Sequence, residues 1–183
     1  MPVFIALLRG VNVGKAKRVP MAEWRVVLEG LGYAGVATLL NSGNAVFRAR
    51  QAPPARLAAA IAGALAAELK VDVPVIVKSA DELAKVVAEN PLAGAATEPS
   101  RLLVAFAPDA AALAGLAPIA GLVAASEQFV LGRHAAYLHC PAGILESRAG
   151  EALLGKLGRA ATTRNWATVL KLHALAGQVG ASK

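Results

Sequence analysis

The segment VATLLNSGNAVFRA, residues 36–49, has the pattern of a β-hairpin. Val36–Leu40 and Ala45–Ala49 are apolar runs of strand length, and Asn41-Ser42-Gly43-Asn44 between them is a strong turn signal. Asparagine and glycine tolerate positive φ values, so a tight turn explains all four residues without any ligand. The hairpin therefore predicts two neighbouring antiparallel strands in the first half of the chain.

Strands and helices are predicted on both sides of this hairpin. VFIALL, residues 3–8, is a continuous apolar run typical of a buried strand, and VPVIV, residues 73–77, is another. Apolar residues at helical spacing predict a helix over residues 21–31, and an Ala/Leu-rich segment predicts a second over residues 53–70. The resulting order, β-α-β-β-α-β, is that of a ferredoxin-like module, an antiparallel sheet with two helices on one face.

The same order recurs about one hundred residues later, which indicates duplication of a whole small domain. We therefore predict an α+β fold of two tandem ferredoxin-like modules with a C-terminal helix. Module one covers residues 1–79, a linking helix and linker cover residues 80–100, and module two covers residues 101–183. In module two, strands are predicted at residues 102–107, 127–131, 136–139 and 161–164, and helices at residues 109–116, 146–157 and 166–176.

The predicted strands are apolar on both faces. VFIALL, VPVIV and LLVAFA (residues 102–107) are apolar at consecutive positions, whereas a sheet with one wet face alternates. We expect both faces to be covered, by the other module or by a partner chain.

Basic residues are concentrated in the first half of the chain. Residues 1–78 hold ten Lys/Arg and four Asp/Glu, whereas residues 79–183 hold nine and eight, within a net charge of +7. The asymmetry suggests an anionic partner near the first half, although a solubilising excess of charge is the alternative. The single cysteine, the lack of a basic leader and the absence of a long apolar run predict a cytoplasmic protein with no membrane contact.

Three segments carry a family resemblance: ALLRGVNVGKAKRVPM (residues 6–21), LNSGNAVF (residues 40–47) and ATTRNWATVLKL (residues 161–172). They resemble the bacterial domain-of-unknown-function family numbered 1697, over nearly the whole chain. The resemblance implies a small bacterial protein of two ferredoxin-like modules, and it implies no reaction. The family's polar signature positions are Arg9, Asn12, Gly14, Ser42, Gly43, Asn44, Thr163, Arg164, Asn165 and Trp166.

The loop RGVNVGKAKRVP, residues 9–20, is the first candidate site. It is not a P-loop, because three residues rather than four separate its glycines and Ala16 stands where a metal-binding Ser or Thr is needed. A looser anion nest remains open, since Lys15 and neighbouring cations meet no acid between Met1 and Ala22. The alternative is a surface loop shaped by glycine.

In the predicted topology this loop and the hairpin turn fall at the same end of the sheet. Their polar side chains are therefore expected to converge, as in small-ligand sites. Arg164 is added because a basic residue at a helix start opposes the helix dipole, so that it either pairs with an acid or serves a site. The predicted ligand-binding residues are Arg9, Asn12, Gly14, Lys15, Lys17, Arg18, Ser42, Asn44 and Arg164.

Other chemistries receive little support from the sequence. An RNA-recognition module needs exposed aromatics on its third strand, and only Phe47 is aromatic there. The three histidines lack metal-ligand spacing, so no metal site is predicted, and Cys140 fits a small buried hydrophobe. The sequence indicates no cofactor, catalytic residue or oligomeric state.

The favoured function is a binding protein for an anionic small ligand, a nucleotide or phosphorylated metabolite, at the basic glycine-rich edge of module one. A nucleic-acid backbone is a weaker candidate for the same charges. The first alternative is an enzyme acting on an anionic small molecule at these loops. The second is an assembly protein without a ligand, which predicts a large exposed apolar patch.

Overall fold

The predicted hairpin lies inside a four-stranded antiparallel sheet, one of two such sheets in a mixed α+β fold. The computed structural model describes residues 1–14 and 17–182, and these contain six α-helices. Contacts divide the chain into two compact units, one of Met1–Leu83 with the C-terminal residues from Leu172, and one of Ala84–Lys171. Within the described ranges no helix is long and apolar enough to cross a membrane.

The sheet of the first unit has the strand order β2-β3-β1-β4, and every neighbouring pair is antiparallel. Strand β2 carries a β-bulge between Ala34 and Ala37, where Gly35 has a φ of 60°. The elements of this unit are β1 (Val3–Leu8), α1 (Met21–Gly30), β2 (Ala34–Leu39), β3 (Asn44–Arg48), α2 (Pro54–Glu68) and β4 (Val75–Ser79).

The two helices bury their apolar sides in one core. Trp24, Val27 and Leu28 of α1 and Leu57, Ile61 and Leu65 of α2 recur at helical spacing and are buried. They belong to the same cluster as Phe4 and Phe47 of the sheet. The core therefore lies between the helices and one face of the sheet.

The other face of this sheet is also buried. Ile5 and Leu7 are each 1% exposed in the single chain, so its own residues cover them and no partner chain is required. The last helix, α6 (Trp166–Ala181), ends against one corner of the first unit. There Val179 packs on Gly35, and the guanidinium of Arg48 donates to the carbonyl oxygen of Ser182.

The second unit repeats the strand arrangement. Its sheet has the order β6-β7-β5-β8, again antiparallel throughout. Asp109 caps α4 by accepting from Ala112 N at 2.7 Å, and Ser147 caps α5 by accepting from Gly150 N at 2.9 Å. The elements are α3 (Ala80–Ala88), β5 (Leu102–Phe106), α4 (Ala110–Ala114), β6 (Gln128–Leu131), β7 (Ala136–His139), α5 (Arg148–Leu154) and β8 (Thr162–Asn165).

The unit boundaries differ from those predicted at residues 79 and 101. The break falls inside α3, between Leu83 and Ala84, and α6 is shared, since its residues from Leu172 group with the first unit. The predicted linker at residues 91–100 groups with the second unit, where Leu92 is buried and its N–H donates to the side chain of Asn90 at 2.9 Å. Tertiary packing thus divides both helices that the sequence assigned whole.

Candidate functional site

Three connecting segments meet at one end of the first sheet: the β1–α1 loop (residues 9–20), the β2–β3 turn (residues 40–43) and the α2–β4 connection (residues 69–74). The N–H of Leu8 donates to the carbonyl oxygen of Gly43 at 2.9 Å. The N–H of Arg9 donates to the carbonyl oxygen of Pro74 at 3.0 Å. The loop and the turn therefore lie side by side, as the topology predicted.

Asn12 fastens the β1–α1 loop to the turn. Its Nδ2 donates to the carbonyl oxygens of Val19 and Asn41, both at 2.8 Å, and its Oδ1 accepts from Val19 N at 2.9 Å. Both side-chain donor hydrogens and the carbonyl group are thus engaged within the chain. Asn12 therefore has a structural role, because its amide closes the loop on itself and on the turn.

Asn44 has a similar role inside the turn. It is fully buried, and its Nδ2 donates to the carbonyl oxygen of Leu39 at 3.0 Å and to Ser42 Oγ at 2.9 Å. A buried polar side chain needs such partners, since leaving them unmade costs about 1–3 kcal/mol. Its burial keeps Asn44 from direct ligand contact, whereas Ser42 is exposed.

Gly43 lets the turn approach β1 more closely than any other residue allows. A Cβ on Gly43 would lie 2.6 Å from Leu8 Cβ and 2.9 Å from Val11 Cγ2, and its φ is 85°. Both the space and the backbone conformation therefore require glycine. This close contact fixes the distance between the turn and the basic loop.

Lys17 and Arg18 are exposed on this frame. The ammonium of Lys17 donates to the carbonyl oxygen of Asp72, and Arg18 Nη2 donates to the carbonyl oxygen of Gly14 at 3.3 Å. Carbonyl partners orient these side chains but leave their positive charges uncompensated. Among the described residues the ion pairs are Arg25–Glu29, Arg101–Glu98 and His134–Glu89, so none involves Lys17 or Arg18.

The other predicted cations are placed differently. Arg9 follows β1 directly and is half-buried, while Lys15, together with Ala16, lies outside the described residues. Arg164 belongs to β8 of the second unit, where its Nη1 donates to Thr162 Oγ1 and to the carbonyl oxygen of Thr163, both at 2.8 Å. Burial lowers the pKa of Arg164 to about 10. The adjacent Asn165 accepts from Thr168 N at 2.9 Å and so caps the N-terminus of α6.

Residues 1–137 match the family described as "Protein of unknown function (DUF1697)". The chain belongs to this family. The match includes the first two of the three segments that carried the resemblance, and the segment at residues 161–172 lies beyond it. No curated protein matches the chain in sequence.

A solved structure is similar to this DUF1697 chain along nearly its full length. It is described as the structure of conserved bacterial protein SP0830 from Streptococcus pneumoniae, with a TM-score of 0.78 and 22% sequence identity. The likeness covers 96% of this chain and 98% of that chain. At this level of sequence identity, the similarity shows that the two chains share a fold.

The structure accounts for several of the polar residues that carried the family resemblance. Asn12 and Asn44 hold the loop and the turn, Gly43 permits their contact, and Asn165 starts the last helix. A structural role therefore accounts for these four, whereas it does not account for the exposed cations beside them.

The opposite end of the first sheet carries a cleft that the sequence did not predict. Its volume is about 550 Å³, and its polar side chains are Tyr33, Arg50, Gln51 and Arg56. The ring of Tyr33 stacks on Phe47 at 4.5 Å, and burial raises the pKa of its phenol. One signal was available: no Asp or Glu occurs between Glu29 and Glu68.

The other described groups with shifted pKa values lie in the second unit. Burial, followed by the charge of Glu89, raises the pKa of Tyr137 to about 12, and its hydroxyl donates to Val86 O at 2.7 Å. Burial also raises the pKa of Cys140 to about 11, which favours the unreactive thiol. Burial acts to raise the pKa of Glu127, but hydrogen bonds, first that of Ser147, lower it overall.

The aromatic and potential metal-ligating side chains of the described residues bear on two further chemistries. Phe4 and Phe47 stack on each other at 6.0 Å inside the core, at 2% and 0% exposure, so they cannot receive bases as in an RNA-recognition module. Within residues 1–14 and 17–182 no three His, Cys, Asp or Glu side chains form a group suited to a metal ion.

Proposed function

We propose that this DUF1697 protein binds an anionic small ligand, a nucleotide or a phosphorylated metabolite, at the β1–α1 loop of the first unit. The observation that carries the proposal is the closure of this loop by Asn12, which holds it against the turn while Lys17 and Arg18 face solvent. A loop already ordered loses less conformational entropy on binding, so more of the contact energy appears as affinity.

The roles within this site follow from the hydrogen bonds. Lys17 and Arg18 supply charge, with Arg9 and Lys15 beside them in the sequence, and the exposed Ser42 supplies a hydroxyl. The backbone adds support, because left-handed residues alternate along the loop, with φ of 68° at Gly10 and 56° at Asn12 and Gly14. Runs of main-chain N–H groups in such conformations form anion-binding nests.

Thermal unfolding in a panel of nucleotides, phosphorylated metabolites and short nucleic acids tests this proposal, at low and high salt. A ligand that binds the folded state raises Tm by mass action. We expect one class of phosphorylated compound to raise Tm at both salt concentrations. Lys17→Gln and Arg18→Gln should each reduce the shift, whereas Arg25→Gln, which removes the same charge from α1, should retain it.

Two results would overturn the proposal. Equal shifts with every polyanion that vanish at high salt mean a generally basic surface, because salt screens exposed charges. No shift with any compound means that the loop has only a structural role.

Assembly is the second candidate function, and two exposed apolar residues favour it. Val13 is 65% exposed and Leu40 is 52% exposed, and they neighbour the hydrogen-bonded pair Asn12 and Asn41. An assembly role predicts concentration-dependent sedimentation that Val13→Ser and Leu40→Ser abolish. The enzymatic alternative requires a titratable group with a shifted pKa at these loops.

We further propose that each sheet with its helices is a ferredoxin-like module and that the chain arose by duplication. The identical relative strand orders, β2-β3-β1-β4 and β6-β7-β5-β8, support this reading. So does the repeated sequence of strands and helices along the chain.

A further inference from the structure

The structure assigns a second binding site to the first unit, in the cleft at the end of the sheet opposite the basic loop. We infer that it takes a small organic anion, in which a carboxylate or phosphate is attached to an apolar, ring-sized body. The inference does not depend on the function proposed for the β1–α1 loop.

Two connecting segments bring the cleft residues together. Val3 pairs with Arg48, and Ala34 pairs with Arg48 on its other side, so β2 begins and β3 ends at the same end of the sheet. The α1–β2 turn (residues 31–33) and the β3–α2 segment (residues 49–53) therefore meet there. The turn of the first site follows Leu39, which pairs with Asn44 at the far end.

The size and lining of the cleft suit a small molecule. Its volume of about 550 Å³ lies within the roughly 300–1,000 Å³ typical of ligand sites. Leu31, Leu57 and Ala52 supply apolar wall, and Tyr33 adds an aromatic ring whose position is fixed by its stack on Phe47.

The charged groups in the cleft are all positive. Arg50 and Arg56 line it, and no acidic residue occurs between Glu29 and Glu68. Within the described residues neither arginine belongs to an ion pair. Guanidinium groups bind carboxylates and phosphates through paired hydrogen bonds, so two of them at one cleft favour an anionic head group.

The phenol of Tyr33 adds a neutral donor. A phenol is protonated at neutral pH, and burial raises the pKa of Tyr33 further, so its hydroxyl can donate to an anion. A cleft in the second unit lacks this character, since Glu151 lines it together with Arg148 and Lys156. The combination of two arginines, a phenol and apolar wall therefore distinguishes the first-unit cleft.

Titration of the full chain with phenyl phosphate and with benzoate, followed by backbone amide NMR, tests the inference. Both compounds should shift the amides of residues 31–33, 49–52 and 55–57, and their relative affinities show which head group is preferred. Arg50→Gln and Arg56→Gln should each weaken binding about tenfold or more. Tyr33→Phe keeps the ring and should weaken it severalfold, while Arg25→Gln, a matched charge loss on α1, should bind as the wild type.

Neutral and inorganic probes complete the experiment. Benzyl alcohol should bind far more weakly than benzoate, because it lacks the anionic head group. Inorganic phosphate should bind more weakly than phenyl phosphate, because it lacks the apolar ring. The inference is overturned if benzyl alcohol binds as tightly as benzoate, or inorganic phosphate as tightly as phenyl phosphate. It is also overturned if the double variant Arg50→Gln/Arg56→Gln binds as the wild type while its melting temperature is unchanged, or if no amide of the cleft shifts.

Discussion

The side-chain nitrogen of Asn12 lies 2.8 Å from the main-chain oxygen of Asn41, across 29 residues of sequence. The same amide bonds both the N–H and the carbonyl group of Val19, so one side chain joins three points of the backbone. Asn12 itself has a φ of 56°, in the left-handed region that asparagine tolerates better than most residues. Its identity therefore matters for two separable reasons, the hydrogen bonds and the backbone conformation.

Asn12→Ala should lower the free energy of unfolding by about 2–3 kcal/mol. It removes the hydrogen bonds of the side chain, and alanine is less stable than asparagine at positive φ because its side chain cannot hydrogen-bond locally. Asn12→Gly removes the same hydrogen bonds but accepts the conformation, so it should cost about 1 kcal/mol less. Urea unfolding of the two variants separates the contribution of the hydrogen bonds from that of the backbone conformation. If Asn12→Ala were as stable as the wild type, the hydrogen bonds of Asn12 would not hold the loop against the turn.

Gly43→Ala should destabilise the protein by about 1–3 kcal/mol, because its Cβ would collide with Leu8 and Val11 and its φ of 85° disfavours alanine. Gly63→Ala is the matched control, since a Cβ there meets nothing within 4 Å on α2. Alanine at a helix interior position is favoured over glycine by roughly 0.5–1 kcal/mol. The two substitutions should therefore shift Tm in opposite directions, and parallel shifts would contradict the close contact at the turn.

Local patterns were sufficient to predict most of the elements. VFIALL predicts β1 to the residue, because Pro2 and Arg9-Gly10 bound the apolar run. Strand β2 begins two residues earlier than predicted, since a bulge at Gly35 continues the strand through what reads as a turn. Strand β4 begins at Val75 rather than Val73, where the preceding Pro74 has no N–H to pair and its carbonyl accepts from Arg9.

The ends of the later helices depended on contacts that no local pattern contains. Helix α5 begins at Arg148 rather than at residue 146, because Ser147 caps it, and it ends at Leu154, before Gly155. Helix α6 continues past Ala176 to Ala181, although Gly177 and Gly180 read as a stop. Its final turn packs on the first unit, where Val179 is 7% exposed, and this tertiary contact outweighs the low helix propensity of glycine.

The sequence predicted that the β1–α1 loop and the hairpin turn lie together, but not the hydrogen bonds that hold them. Topology alone brings the β1–α1 loop and the hairpin turn together, because both follow strands that end at the same edge of the sheet. The sequence could not show that the side-chain amides of Asn12 and Asn44 are hydrogen-bonded within the chain. Apart from Ser42 Oγ, the partners named above are main-chain groups, which have no residue signature. The sequence did not predict the cleft at Arg50. Its residues come from the α1–β2 turn and the β3–α2 segment, whose only distinguishing feature in the sequence is the absence of acidic residues.

Asn165→Ala should destabilise the protein by about 1 kcal/mol, because the Oδ1 of Asn165 accepts from Thr168 N at the start of α6. Asn165→Asp keeps the acceptor and places a negative charge at the positive end of the helix, so it should retain or raise stability. Thermal unfolding of both variants measures the difference. Equal losses in the two would assign the effect to the sheet, where Asn165 pairs with Leu103, instead of to the cap.

Cys140 should make stability fall with pH in the alkaline range. Burial raises the pKa of its thiol to about 11, whereas the thiol of the unfolded chain ionises near its ordinary value of 9.0. Below that pH the thiol is protonated in both the folded and the unfolded state, so the stability that Cys140 contributes is fully present. Between the two values the unfolded chain loses the proton first, which favours unfolding, and the contribution is lost as pH rises to about 11.

Cys140→Ala lacks this titration, and every other group remains in both proteins, including Tyr137, whose pKa is also raised. Between about pH 8 and about pH 10 the wild type should therefore lose about 1 kcal/mol more free energy of unfolding than the variant does. Urea unfolding across this range gives the comparison. Parallel curves would mean that Cys140 ionises equally in both states, which its exposure of 1% does not allow without local opening of the second unit.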